Sequence, residues 1–196
     1  MFRLASALPL VLFCAATAQA RSNGAPAQAC ANLVPQHPGV APQTSAAPYM
    51  IGFNLEDAAN IRVSIKGLGN VVFKGFLLQM VSAESGKVVG SWTPAAGNPA
   101  KLVDCAPGTE NAITHVNSAS KRSVSAVWVP PRGYSGYVKP VVSVVQDFAH
   151  FWVGIEGPRI AVGDVPDIPS ANGAEGVKGV SIVSLFLAGI VAKFCL

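Results

Sequence analysis

The sequence predicts an all-β domain in which short antiparallel strands form a sandwich of two sheets. Two observations support this prediction. Between residues 61 and 156 the apolar segments are short, rich in β-branched and aromatic residues, and separated by clusters of Gly, Pro, Asn and Ser. None of these segments has the 3.6-residue apolar period of an amphipathic helix. Short strands joined by turn residues are typical of β-sandwiches.

The central strand is predicted at residues 71–80, directly after a glycine-rich turn at 67–70. Strict alternation of apolar residues fails at Lys74 and Gly75. A one-residue bulge there would restore a single apolar face, and the alternative is a strand that is buried on both faces. We expect this strand to form a hairpin with residues 61–66, which alternate cleanly between apolar and polar.

Five further strands follow in the chain. They are predicted at residues 87–92, 111–116, 123–129, 137–146 and 151–156. Residues 93–110 contain three prolines and are expected to form a loop. Pro140 places its strand at a sheet edge or at a bulge, because proline cannot donate to the ladder. We expect Phe76 and Trp128 to meet in the core from opposite sheets.

Residues 1–20 have the pattern of a secretory signal peptide. Arg3 precedes an apolar run, and the run ends at the small-residue cleavage pattern of residues 18–20. The mature chain would start at Arg21, and residues 21–169 would form the domain. Its first part, residues 22–48, is rich in Pro, Ala, Gln and Gly and is expected to be an extended leader. The protein is therefore expected outside the cell.

Residues 170–196 resemble a signal for attachment of a glycosylphosphatidylinositol anchor. The candidate attachment residues are Ser170, Asn172 and Gly173, and a short polar spacer and a terminal apolar run follow them. A retained hydrophobic tail and plain secretion are the alternatives. The first interpretation places the protein on the cell surface, with the membrane as a partner only through the lipid anchor.

Composition and motifs argue against several classes of function. The formal net charge of +4 is too small to predict nucleic-acid binding. No nucleophile motif or phosphate-binding loop is present, and the three histidines are far apart without metal-ligand spacing. We therefore expect no catalytic residues, no metal site and no cofactor.

One candidate site for anionic ligands remains, the basic patch. Its members are Lys121, Arg122, Arg132 and Lys139, with Tyr134 and Tyr137 beside them. The cations could face phosphate or carboxylate groups of bacterial lipopolysaccharide, and the tyrosines could contact carbohydrate or lipid headgroups. Ordinary solvated charges and core-edge packing of the two rings are the alternatives.

Several short motifs, in order, resemble those of the reeler domain, first named from the N-terminus of reelin. They include Ala29-Cys30, the central Phe73-Lys74-Gly75-Phe76-Leu77-Leu78-Gln79, Thr114-His115, Trp128-Val129-Pro130-Pro131 and Phe151-Trp152-Val153-Gly154-Ile155. The resemblance covers about residues 24–158. It implies an immunoglobulin-like antiparallel β-sandwich. It also implies a disulfide between Cys30 and Cys105, which an oxidising compartment would favour. In the family pattern, His115 is best interpreted as a hydrogen-bonded structural residue.

Single-domain members of this family resemble arthropod haemolymph defence proteins, including a type that drives bacterial nodulation. The resemblance therefore implies a non-catalytic innate-immune protein that binds lipopolysaccharide or other microbial surface glycans. Reeler domains also occur in ferric-chelate-reductase-like membrane proteins and in extracellular matrix proteins. An accessory role in membrane redox chemistry and a role in matrix adhesion are thus the alternative functions.

Overall fold

Two antiparallel β-sheets pack face to face in this computed structural model, which describes residues 22–56 and 60–164. The described residues form ten strands and one short 3₁₀ helix at Ala27–Ala31. The strands are β1 (Tyr49–Leu55), β2 (Ile61–Gly67), β3 (Gly75–Ser82), β4 (Ser91–Pro94), β5 (Ala100–Val103), β6 (Ala112–His115), β7 (Ser123–Val129), β8 (Gly136–Val145), β9 (Phe151–Glu156) and β10 (Ile160–Val162). The prediction of an all-β antiparallel sandwich is confirmed.

The first sheet has the strand order β1-β2-β7-β4. The second has the order β10-β8-β3-β6-β5, and β9 also pairs with β8. Side chains from the two inner faces form the main core, in which Phe76 of β3 and Trp128 of β7 are 2% and 0% exposed. These two residues come from opposite sheets, as expected. The indole Nε1 of Trp128 donates to the carbonyl oxygen of Val89 over 2.8 Å, so burial leaves this polar group paired.

The central strand differs from the preferred prediction. It begins at Gly75, continues in unbroken register with β8, and has all eight residues buried. The predicted bulge at Lys74 and Gly75 is therefore wrong, and the alternative of a strand buried on both faces is correct. The physical reason is that the outer face of β3 is covered by the leader, residues 22–48, so both faces need apolar or paired side chains.

The predicted hairpin between residues 61–66 and the central strand is also wrong. Strand β2 pairs with β1 and β7, whereas β3 pairs with β8 and β6 in the other sheet. The turn at 67–70 therefore crosses between sheets. Its first amides bond to distant segments: Gly67 N donates to Arg122 O, and Leu68 N donates to Pro48 O.

Smaller differences concern the other strands. Strand β7 has its predicted bounds, whereas β4 is shorter and later than predicted, and β5 lies inside the predicted loop at 93–110. Strands β1 and β10 were not predicted. Strand β9 has its predicted bounds and buries the adjacent residues Phe151 and Trp152, so burial along it does not alternate strictly.

Pro140 lies in an interior strand, where proline would usually remove a ladder hydrogen bond. It sits where the partner of β8 changes from β9 to β10, and its carbonyl oxygen accepts from Gly157 N over 2.8 Å. Backbone N–H and C=O groups of one residue point to the same side in an antiparallel ladder. The missing N–H therefore falls at this interruption, which is why the interior strand tolerates the proline.

Residues 1–20, residues 170–196 and the candidate attachment residues Ser170, Asn172 and Gly173 lie outside the described part of the chain. Within residues 22–56 and 60–164, no helix has the length and apolar character needed to cross a bilayer.

Candidate ligand groove

A groove of about 300 Å³ lies between the leader and the outer face of the second sheet; we call it the leader groove. The leader supplies one wall, which includes Pro26, Ala29 and Leu33. Strands β3 and β8 supply the other wall, which includes Leu77 and Val145. The groove is thus lined largely by apolar side chains and lies at the lower end of the usual volume range for small-molecule sites, about 300–1,000 Å³.

Covalent and polar contacts hold the leader against the sheet. The predicted disulfide between Cys30 and Cys105 is present. The side-chain amide of Gln79 in β3 lies beside it and donates to Cys30 O over 3.4 Å. Further along the groove, Ala25 N donates to the Thr114 hydroxyl oxygen over 3.0 Å. The leader wall is therefore attached to the sheet by a disulfide and by hydrogen bonds with the side chains of Gln79 and Thr114.

Leu33 occupies an unusual backbone conformation in this wall. Its φ is +60°, a left-handed value that a bulky residue seldom adopts. Leu33 follows the 3₁₀ helix, and its N–H donates to Ala29 O over 2.7 Å. Its side chain is only 8% exposed and packs with the apolar cluster beneath the leader. Burial of this side chain offsets the backbone cost.

The rim of the groove joins the leader to the loop after β8. The ring of His37 stacks on Phe148 with centroids 4.8 Å apart, and its Nδ1 lies 2.8 Å from Phe148 O. Asp147 lies beside this pair, and its carboxylate accepts from Ala149 N and from the backbone and ring of His150. Hydrogen bonds from His150 and Ala149 lower the pKa of Asp147 although partial burial acts to raise it.

Polar groups inside the groove come from β6 and β8. His115 is buried, and its Nδ1 accepts from Phe76 N over 3.2 Å. It is therefore a hydrogen-bonded structural residue, as expected. Ser143 of β8 is 2% exposed and stands opposite Leu77 in the β3–β8 register. Among the described residues, its hydroxyl has no hydrogen-bond partner.

Lys74 lies at the open side of the groove. Its side chain is exposed, and within the described segments no hydrogen bond or ion pair engages its ammonium group. The neighbouring Lys121 is different, because its ammonium donates to the Lys74 carbonyl. Lys74 is therefore a cation without a fixed protein partner at the entrance of an apolar groove.

The family model for the reeler domain matches residues 28–167 of this chain. The chain belongs to the reeler domain family. Among similar proteins, "Defense protein l(2)34Fc" of Drosophila melanogaster is 33% identical over 157 residues, which are 79% of this chain and 94% of that protein. A Bombyx mori protein also named for defence is 33% identical over 168 residues, or 81% of this chain and 95% of that protein.

Larger proteins share this reeler domain too. Ferric-chelate reductase 1 of Bos taurus is 30% identical over 149 residues, which cover 74% of this chain but only 24% of that protein. Among solved structures, the human F-spondin reeler domain aligns with a TM-score of 0.49 and 15% identity, covering 63% of this chain and 94% of that one.

The reeler domain does not assemble the predicted basic patch. Lys121 is only 6% exposed, and its ammonium donates to three carbonyl oxygens, those of Lys74, Asn117 and Ala119, over 2.7–3.0 Å. Burial lowers the pKa of Lys121. The ammonium of this lysine is therefore engaged in closing the loop before β7.

The other members of the patch are separated or already paired. Arg122 precedes β7 and donates to the Asn70 side chain over 3.2 Å, whereas Arg132 follows β7, so the two arginines lie at opposite ends of that strand. Lys139 forms an ion pair with Glu156 at 2.6 Å. The two tyrosines are likewise engaged: Tyr134 packs against the core, and Tyr137 lies under the Arg159 guanidinium at 4.1 Å.

The described residues of this reeler domain contain no group of three or more His, Cys, Asp or Glu side chains placed to hold a metal ion. Thr114 Oγ1 lies 3.1 Å from His115 Nδ1, the distance expected of a nucleophile and its base. Thr114 is completely buried, however, and its hydroxyl donates to Phe76 O. This pair therefore supports the sheet and is closed to a substrate.

Proposed function

We propose that this chain is a non-catalytic extracellular defence protein that binds components of microbial surfaces, such as lipopolysaccharide or other surface glycans. The observation that carries the proposal is the extent of the match to relatives named for defence. It covers 94–95% of the Drosophila melanogaster and Bombyx mori proteins. The match to ferric-chelate reductase covers only about a quarter of that chain, so it reflects a shared domain.

Among the described residues, the leader groove is the feature that suits the apolar part of such a component. Concave, mostly apolar sites with a few polar groups are the usual form of small-molecule sites. Ser143 and Lys74 supply a buried hydroxyl and a free cation at this groove.

Retention on microbial surface material tests the proposal. The full chain, expressed in a secretory system, is incubated with immobilised lipopolysaccharide, peptidoglycan and β-glucan, with uncoated resin as the control. We expect retention on at least one of the three above the control. Retention on none of them, together with co-purification of a b-type haem protein, would favour the accessory redox role. Deposition in extracellular matrix without microbial binding would favour adhesion.

The proposal includes export and attachment to the cell surface. Residues 1–20 supply the secretory pattern, and residues 170–196 supply the pattern for a lipid anchor. A lipid anchor holds a domain outside the cell without a protein span. Phosphatidylinositol-specific phospholipase C should release the protein from intact cells. If the protein stays on the membrane and its C-terminal peptide still contains Phe194, the anchor is refuted; unlipidated protein in the medium indicates plain secretion.

A further inference from the structure

We propose that the leader groove binds the acyl chain of a single-chain anionic amphiphile, with Lys74 as the counter-charge at the entrance and Ser143 as the buried hydrogen-bonding group. This inference rests on the proposed function, because it assigns a lipid chain, and not a sugar, as the part of the ligand that the domain holds.

Shape and lining support an aliphatic chain. The groove has about 300 Å³, and its walls include Leu33, Leu77 and Val145. A volume at the lower limit of small-molecule sites suits one acyl chain, so a glycolipid with several chains would insert only one of them here. Sugars need many hydrogen-bond partners, and the inner walls of this groove are mostly apolar. Burial of methylene groups is the interaction that such walls favour.

The two polar groups specify the rest of the ligand. Ser143 is 2% exposed, and its hydroxyl has no partner among the described residues. A buried hydroxyl without a partner is costly, and a ligand oxygen that accepts from it would remove that cost. This observation is independent of the groove's shape, and it favours a ligand that carries an oxygen atom over a pure hydrocarbon.

The charges at the entrance favour an anion. Lys74 is exposed there, and no carboxylate of the described residues pairs with it. Asp147 also lines the groove, but its carboxylate accepts three hydrogen bonds from Ala149 and His150. The imidazole of His37 is held by Phe148. Asp147 keeps its negative charge, but its acceptor sites are used within the protein, so among the described residues that line the groove the charged group without a fixed partner is the ammonium of Lys74.

Titration calorimetry of the full secreted chain with octanoate, decanoate and dodecanoate tests the chain-length requirement. If the chain enters an apolar groove, the affinity should rise about fourfold for each added methylene. Dodecyltrimethylammonium is the matched ligand control, because it has a chain of the same length with a cationic head. It should bind more weakly than dodecanoate. Absence of dodecanoate binding, or equal affinity for all three acids, would overturn the proposal.

Substitutions locate the site. Val145→Phe fills the groove and should weaken dodecanoate binding at least tenfold, whereas Val127→Phe, at a half-buried valine of the other sheet, should not. Ser143→Ala should weaken binding roughly three- to tenfold through loss of one hydrogen bond. Melting curves identify any variant that has failed to fold. Unchanged binding by folded Ser143→Ala and Val145→Phe would place the ligand elsewhere.

The charge requirement has its own pair of variants. Lys74→Gln should weaken dodecanoate binding and reduce its salt dependence, and Lys74→Arg should restore both. Lys87→Gln is the control, since Lys87 is an exposed lysine in the hairpin after β3. If Lys74→Gln and Lys87→Gln behave alike, the counter-charge is refuted.

Comparison of intact and deacylated lipopolysaccharide separates this inference from the proposed function. Retention of the intact form alone supports both. Retention of both forms without dodecanoate binding leaves the defence function standing and overturns the groove as the site. Dodecanoate binding with the predicted variant pattern, but no retention on any microbial material, leaves the groove standing and refutes the proposed function.

Discussion

Removal of the crosslink between leader and sheet should cost a large part of the stability of the domain. The disulfide joins residues 75 positions apart, Cys30 and Cys105. In the chain-entropy model a loop of this length contributes about 4.5 kcal/mol at 25 °C. Cys30→Ala/Cys105→Ala should therefore lower the free energy of unfolding by about 4–5 kcal/mol. This is a severe loss for a domain whose total stability is expected to be about 5–15 kcal/mol.

Urea denaturation followed by tryptophan fluorescence measures this loss, since Trp92 and Trp128 are buried in the core. The parent protein under reducing conditions is the matched control and should lose a similar amount. A loss below about 1 kcal/mol, in the double variant and in the reduced parent alike, would refute the reasoning. It would mean that the apolar contacts of the leader hold it in place without the crosslink, or that the unfolded chain is already compact near these residues.

Three further predictions concern the core, a buried cation and a buried phenol. Phe76→Ala should lower the unfolding free energy by about 3–5 kcal/mol in urea titrations, because it leaves a cavity in the packed core. Leu68→Ala, at a half-exposed position, is the control and should lower it by less than about 1 kcal/mol. Lys121→Met should lower the unfolding free energy by about 2–3 kcal/mol, because it leaves the carbonyl oxygens around the ammonium without their donor. An unchanged unfolding free energy in the same assay would show that the loop forms without this ammonium. Burial, with a smaller effect of the Asp147 charge, raises the pKa of Tyr49 to about 12. The unfolded state loses this proton near pH 10 while the folded state keeps it, so this contribution to stability is lost between about pH 10 and 12. Absorbance at 295 nm should show a titration step near pH 12 that is missing in Tyr49→Phe, and identical curves would contradict the shift.

Local pattern was sufficient for the strands whose apolar residues alternate. In β7 the buried residues Val124, Ala126 and Trp128 stand at every second position, and the predicted bounds are those observed. Strand β1 has a similar pattern in Tyr49, Ile51 and Phe53 and could have been found in the same way. Strand β5 was masked by the prolines around it, because four residues carry too weak a pattern against flanking turn signals.

Long-range pairing was the part that local pattern did not determine. A glycine-rich turn allows either a hairpin or a crossing between sheets, and the choice depends on which distant backbone accepts the turn amides. The surroundings of the basic-patch residues also depended on more than local pattern. Lys121 is adjacent to Arg122 in sequence, but one side chain turns inward to bind carbonyl oxygens and the other turns outward.

The leader groove could not be predicted from local sequence pattern either. One of its walls is a segment without a strand or helix pattern, apart from the short 3₁₀ turn, and that segment is placed by the crosslink at Cys30. The continuous apolar run in β3 is the signal that could have indicated this wall. A strand with such a run needs packing partners on both of its faces, and the predicted second sheet covers only one face.

The double covering of β3 has a consequence for how the molecule opens. Its amides lie between β8 and β6, beneath the leader on one side and the opposite sheet on the other. Hydrogen exchange there requires the ladder bonds to β8 and β6 to break, and both coverings hinder that opening. Cleavage of the crosslink should thus create a partly open species whose inner face is still packed. In that species the side chains on the outer face of β3, such as Leu77, would become accessible to solvent, whereas the amides of β3 would stay protected for as long as they bond to β6 and β8.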